Sequence, residues 1–196
     1  MNIFFLSRDP HESAQYLCDK HIPKMFLETC QMLSTAVQRH RGLVKGLYKP
    51  AYSNHPMTKW VGDTHANFEW AMKHAMHIEK EYEIRFKKTH RSSRILTLVL
   101  ENFYLYDIPK GDKFISPPQC MPDKYKHKNY VTAYRRYYAG DKDRFAKWEK
   151  GRSKPKWYEK IKNTIKTSKE ETRQESSKRA TNKKRDSYSY QMGTSA

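Results

Sequence analysis

The pattern of apolar and polar positions opens with a short uninterrupted apolar run, "NIFFL", which must be buried and whose length suits a strand or a helix equally. "RDPHESAQ" follows as a helix start: Asp9 is a good N-cap, Pro10 fits the first helical position, and Glu12 completes a capping box. Ala14, Leu17, Met25, Phe26, Thr29, Leu33, Ala36 and Val37 then recur at three- and four-residue steps. This spacing predicts one long helix running to about Gly42, bent where Pro23 removes a backbone hydrogen bond. After a basic, turn-rich loop, "HPMTKWVGD" leads into a second long helix from about Thr64 to Lys88, with Phe68, Ala71, Ala75, Ile78 and Tyr82 on its inner face. "SSRILTLVLENFYLY" reads as a third, more completely buried helix. Residues 107–129 carry five prolines and glycines at Pro109, Gly111, Pro117, Pro118 and Pro122, so they form a loop long enough to be functional. "YVTAYRRYY" and "DRFAKWEK" are expected to be short helical pieces, Asp141 capping the second, with "KPKWYEK" after them. No alternating run is convincing, so the expected fold is all-α: one compact domain over residues 1–160 with three main helices, followed by a basic, disordered tail over 161–196.

Charge changes this picture most. The chain of 196 residues carries a net charge of +18. Residues 159–196 hold ten Lys/Arg against five Asp/Glu, a net +5, which leaves +13 on residues 1–158. Basicity is therefore a property of the folded part as well as the tail. A domain this basic repels itself unless a polyanion is its normal partner, and nucleic acid is the commonest one. No stretch reaches the roughly 20 apolar residues of a membrane span, and "MNIFFL" is too short and lacks the basic flank of a signal peptide. A cytoplasmic protein with no membrane association is expected. Cys18 and Cys30 are twelve positions apart, about 18 Å on one helix, too far for a disulfide. With Cys120 they read as free thiols of a reducing compartment.

Several residues could carry chemistry. His21, Lys24, Glu28 and Gln31 form a polar stripe opposite the apolar face, with Lys20 beside it. A solvated face is one reading. The other is an acid/base pair, His21 and Glu28, flanked by cations that attract phosphates. His55 and Lys59 sit at the entrance of the second long helix, either as an anion contact or as an exposed junction. His74 and His77 are three apart, but lack partners at metal-ligand spacing. "YRRYY" with Arg135 and Arg136, and "KPKWYEK" with Lys154, Lys156, Trp157 and Tyr158, interleave aromatics with cations. Either they are core aromatics, or they stack on unpaired bases and clamp phosphates. There is no phosphate-binding glycine loop, Ser-His-Asp series or CxxC. The amino-terminal amine of Met1, with an ordinary pKa near 8, is a candidate nucleophile.

"KHIPKMF" and "KPKWY" together give the chain a resemblance to the phage pyrimidine-dimer DNA glycosylases of the endonuclease V type, small basic all-α repair enzymes. In that family the catalytic helix reads Arg-Glu-Leu-Pro-Arg-Val-Phe, with its proline in register with Pro23, and the resemblance extends over about residues 1–160. It implies a monomer that acts on double-stranded DNA without a cofactor. The amine attacks the sugar C1′, forms an imine and cuts the strand by β-elimination, with a base flipped out of the duplex. Carried across, Met1 supplies the amine, Asn2 lies beside it, Lys20 and Lys24 replace phosphate-holding arginines, and Trp157 and Tyr158 lie by the lesion. Two positions depart from the family. Its essential glutamate falls on His21, which leaves Glu28 as the carboxylate available on the same stripe. Its initiator methionine is lost, whereas Asn at position 2 tends to leave Met1 in place. The competing readings are a non-catalytic basic DNA-binding protein on the same scaffold and a metal-dependent nuclease using the histidines.

Overall fold

The apolar opening run is neither strand nor helix. Ile3, Phe4, Phe5 and Leu6 are all buried, and their extended backbone is satisfied by side chains from elsewhere rather than by a ladder. Ser13 Oγ accepts from the Leu6 N–H at 3.1 Å and donates to the Phe4 carbonyl at 2.9 Å, while Arg135 Nε donates to the Leu6 carbonyl at 2.7 Å. The Phe5 ring packs within 6 Å of Trp60, Trp70, Tyr130 and Tyr134. The helices are thus wrapped around the amino-terminal segment. A computed structural model describes residues 1–168, 170, 174 and 175, and no strand occurs among them.

Helix α1 (Pro10–Gln15) starts as its caps predict, with Asp9 accepting from the Glu12 N–H at 2.8 Å. The capping box is rerouted through Ser7, whose hydroxyl accepts from the Asp9 N–H and donates to the Glu12 carboxylate. The chain then leaves the helix at Tyr16, and α2 (His21–Arg41) begins afresh. This corrects the single bent helix expected from the periodicity. Pro23 is the third residue of α2, where a backbone N–H would have no intrahelical acceptor, so it starts a helix here instead of bending one. The link between α1 and α2 is held by a buried ion cluster. Arg85 donates to the carbonyls of Gln15 and Leu17 and to the carboxylates of Asp19 and Glu81, and Arg152 pairs with Glu81 from the outside.

α3 (Pro56–Asp63) crosses α2 closely at Gly62, where a Cβ would lie 3.2 Å from that of Ala36. Thr64 then caps α4 (His65–Phe86) by accepting from the Asn67 N–H at 3.1 Å. α4 packs against α1, α2 and α3 and places Phe68, Ala71, Ala75 and Ile78 in the core. α5 (Ser93–Glu101) buries only Ile95, Leu96 and Val99, so the completely buried third helix is corrected to an amphipathic one. Residues 107–129 form the expected loop, interrupted by one turn of 3-10 helix at Asp123–Tyr125. It is tied down by Trp60 Nε1 on the Ile115 carbonyl and by a mutual pair between the Gln119 amide and the His127 backbone.

α6 (Tyr130–Asp141) is the helix expected from "YVTAYRRYY". "DRFAKWEK" forms only a 3-10 turn at Asp143–Phe145. Asp141 is not its cap; it ends α6 and accepts from the Tyr125 hydroxyl at 2.6 Å.

Two units divide at Pro155 and Lys156. The described part of the second is a helix, α7 (156–168), in which the rings of Trp157 and Tyr158 lie 5.8 Å apart. Residues 161–168, expected to open the tail, continue α7, and the tail from residue 176 onward lies outside the described residues.

Candidate active site at the amino terminus

The amino-terminal segment brings its backbone onto α2 at Glu28. Glu28 Oε2 accepts from the Asn2 N–H at 3.0 Å, and Oε1 lies 3.8 Å from Lys24 Nζ. The Asn2 side chain is clamped from the loop and from α6. Its Nδ2 donates to the Cys120 carbonyl at 3.0 Å, and the Tyr134 hydroxyl lies 3.2 Å from its Oδ1 and 2.7 Å from the Pro118 carbonyl. Asn2 is thereby a structural anchor, with its amide spent on the protein. Met1 is one peptide further out and half-buried.

His55 completes the cluster. Its Nδ1 caps α3 by accepting from the Met57 N–H at 3.2 Å, which leaves the ring proton on Nε2. Its pKa is lowered, first by burial and then by the positive amino terminus, with the Glu28 carboxylate opposing. The Cys120 thiol is raised by burial, with the amino terminus among the charges that act against that rise. Amine, carboxylate, imidazole and thiol therefore share one electrostatic neighbourhood. The carboxylate can stabilise positive charge and carry a proton within reach of the amine.

His21 does not belong to this cluster, and the expectation that it faces an anionic groove is corrected. Only 4 % exposed, its ring stacks on Phe4 at 4.9 Å and meets Phe145 edge-on at 5.1 Å. Its Nδ1 is 2.8 Å from the Tyr138 hydroxyl, which also accepts from the Cys18 N–H. Burial, followed by the charges of Lys142, Lys24 and Lys20, pushes its pKa down to about 3. The stripe is thus split: a helix that begins at residue 21 turns its first residue inward and leaves Lys20 and Lys24 outside.

The remaining candidates are scattered. Lys59 is exposed on α3 and Arg136 on α6. Arg135 holds the Leu6 carbonyl and lies 5.6 Å over the Tyr16 ring, so it supports the amino-terminal segment. Lys154 is exposed at the end of the first unit, and Lys156, Trp157 and Tyr158 begin the second. His74 is buried and donates from Nδ1 to the Pro10 carbonyl. Among the described residues no three His, Cys, Asp or Glu side chains gather as metal ligands, and no helix is long and apolar enough to cross a membrane.

Residues 1–94 match the family model described as pyrimidine dimer DNA glycosylase. The matched region spans Met1, Asn2, Lys20, His21, Lys24, Glu28, His55 and Lys59, and so contains the whole cluster except the clamp residues Pro118, Cys120 and Tyr134. "KPKWYEK" lies outside the match. No curated protein and no solved structure matches the chain.

Sequence reasoning missed the clamp formed by Cys120, Pro118 and Tyr134. One signal was present: Tyr134 and Tyr138 are four apart, the spacing of one inward face of a helix, whereas "YRRYY" read as a block looks like a surface.

Proposed function

We propose that the protein is a DNA N-glycosylase with associated strand-cleaving lyase activity on damaged or modified bases in double-stranded DNA. The amino-terminal amine is the nucleophile and Glu28 the assisting carboxylate. The observation that carries this reading is the 3.0 Å hydrogen bond between the Glu28 carboxylate and the Asn2 backbone, one peptide from the amine, within the region that matches the pyrimidine dimer DNA glycosylase family model.

In the first step the amine nitrogen bonds to C1′ and the glycosidic bond breaks, the base leaving with the bonding electrons and taking up a proton. Glu28 opposes the positive charge that develops on the sugar. Ring opening gives an imine between the amine and C1′. Removal of a C2′ proton then expels the 3′ phosphate, and hydrolysis of the imine releases the enzyme. Glu28 is placed to carry these protons; His55, held neutral as the α3 cap, offers an uncharged donor beside it. His21 contributes by packing under Phe4 and not by proton transfer. The basic surface supplies duplex attraction, and the protein acts as a monomer in the cytoplasm.

Incubation with ultraviolet-irradiated duplex and with a duplex carrying one abasic site tests the reading. Strand cleavage of either, together with a borohydride-stable protein–DNA adduct, is expected. Salt-sensitive binding with neither cleavage nor adduct would overturn it and leave a non-catalytic DNA-binding protein.

A further inference from the structure

A file of five rings runs through the first unit beside the amino terminus. Phe145, His21, Phe4, Tyr137 and Tyr125 follow one another with neighbouring centroids 5.1, 4.9, 6.0 and 5.5 Å apart. Cations stand over its outward rings. Lys20 Nζ is 5.1 Å and the Arg144 guanidinium 5.4 Å from the Phe145 centroid, Lys142 Nζ is 4.5 Å over Tyr137, and Lys124 Nζ is 4.9 Å over Tyr125. The aromatic faces attract these side chains and fix where their charges sit. The same geometry gathers like charges: Lys142, Lys24 and Lys20 all act on His21. Asp141 touches this row, through the Tyr125 hydroxyl at 2.6 Å and Lys124 Nζ at 3.9 Å. Holding several cations in a row costs energy unless an extended polyanion lies along them.

The geometry points to a phosphate rail: Lys20, Arg144, Lys142 and Lys124 hold the backbone of one DNA strand and lead it past the amino terminus. Phe4, the middle ring, is three residues from Met1, on the same amino-terminal segment whose Asn2 backbone bonds Glu28. Three of the four cations, Lys124, Lys142 and Arg144, lie beyond the region that matches the family model. The rail rests on the reading of DNA as substrate.

The test is the salt dependence of duplex binding for the full chain and for Lys142→Ala, Arg144→Ala and Lys45→Ala, the last being an exposed lysine beyond the far end of α2. Each phosphate contact contributes about 0.9 to the slope of log K against log salt. Lys142→Ala and Arg144→Ala are each expected to lower the slope by about 0.9, and the double variant by about 1.8, with Lys45→Ala unchanged. Unchanged slopes for both rail variants, or an equal drop for Lys45→Ala, would overturn the rail. Arg144 and Lys45 are exposed and Lys142 is half-buried, and circular dichroism checks that each variant keeps the fold. Borohydride trapping keeps the two claims apart. Rail variants with wild-type slopes alongside a normal adduct sink the rail alone. Lowered slopes in a protein that forms no adduct sink the glycosylase reading alone.

Discussion

Replacing Arg85 with methionine should destabilise the protein more than the loss of one surface ion pair. The Arg85 side chain is fully buried and makes five hydrogen bonds: two to Glu81, one to Asp19, and one each to the carbonyls of Leu17 and Gln15. Methionine fills much of the volume and removes every donor. Breaking a buried ion pair from one side costs about 3–5 kcal/mol, because the partner is left charged and desolvated. Two partners keep other donors: Glu81 retains Arg152 at 2.5–3.1 Å, and Asp19 retains the Glu149 N–H at 2.7 Å. That places the expected loss near the lower end, about 3 kcal/mol, out of the roughly 5–15 kcal/mol that holds a domain together. Urea unfolding followed by tryptophan fluorescence reads this directly. At about 1–3 kcal/mol per molar urea, the midpoint should fall by roughly 1–3 M. Lys73→Ala is the comparison, since its pair with Glu69 is exposed and should be worth under about 1 kcal/mol. A loss for Arg85→Met no larger than that for Lys73→Ala would refute the argument that this cluster holds the α1–α2 link.

Acid should unfold the protein through its buried histidines. His21 is pushed down to about 3 and His74 to about 4, both chiefly by burial, from an ordinary value of 6.5. The unfolded chain therefore binds the extra protons first, so the stability these groups contribute is present above about pH 6.5 and is lost as pH falls toward 4. His74→Gln should flatten the pH dependence of the urea midpoint there by up to ~1.4 kcal/mol per pH unit, and an unchanged slope would contradict the assignment. Glu81 adds a second acid-sensitive step: burial would raise its pKa, but its bonds to Arg152 and Arg85 lower it, so its contribution is lost only below its ordinary 4.5. Gly140→Ala should cost about 1–3 kcal/mol, since its Cβ would lie 2.5–2.8 Å from Tyr125, whose hydroxyl is held by Asp141. A melting temperature equal to wild type would show that this ring moves freely.

Local signals read correctly where one physical term dominates. The Asp9–Pro10 start, the start of α4 near Thr64, its inner face and the helix at "YVTAYRRYY" all follow from capping chemistry or three-four periodicity. The single bent helix failed because the apolar period continues through Tyr16–Lys20 while the backbone does not. Ion pairs to Arg85, 66 residues away from Asp19, stabilise the break, and no local window contains them. The polar stripe failed for a related reason. His21 and Glu28 share a face by spacing, but a ring can be buried against Phe4 and Tyr138 where a carboxylate needs the amino terminus and water. Glu28 itself was legible as the carboxylate left on that stripe; its bond to the Asn2 backbone was not, because it depends on where the extended segment crosses α2.

The central claim is tested most directly by trapping the full chain on abasic duplex with borohydride and mapping the adduct by peptide mass spectrometry, for wild type and for Glu28→Gln. The account expects the adduct on the amine of the amino-terminal peptide in the wild type and at least a hundredfold less in Glu28→Gln, about 2.7 kcal/mol of lost transition-state stabilisation. An adduct on a lysine side chain, or equal yields from the two proteins, would contradict it.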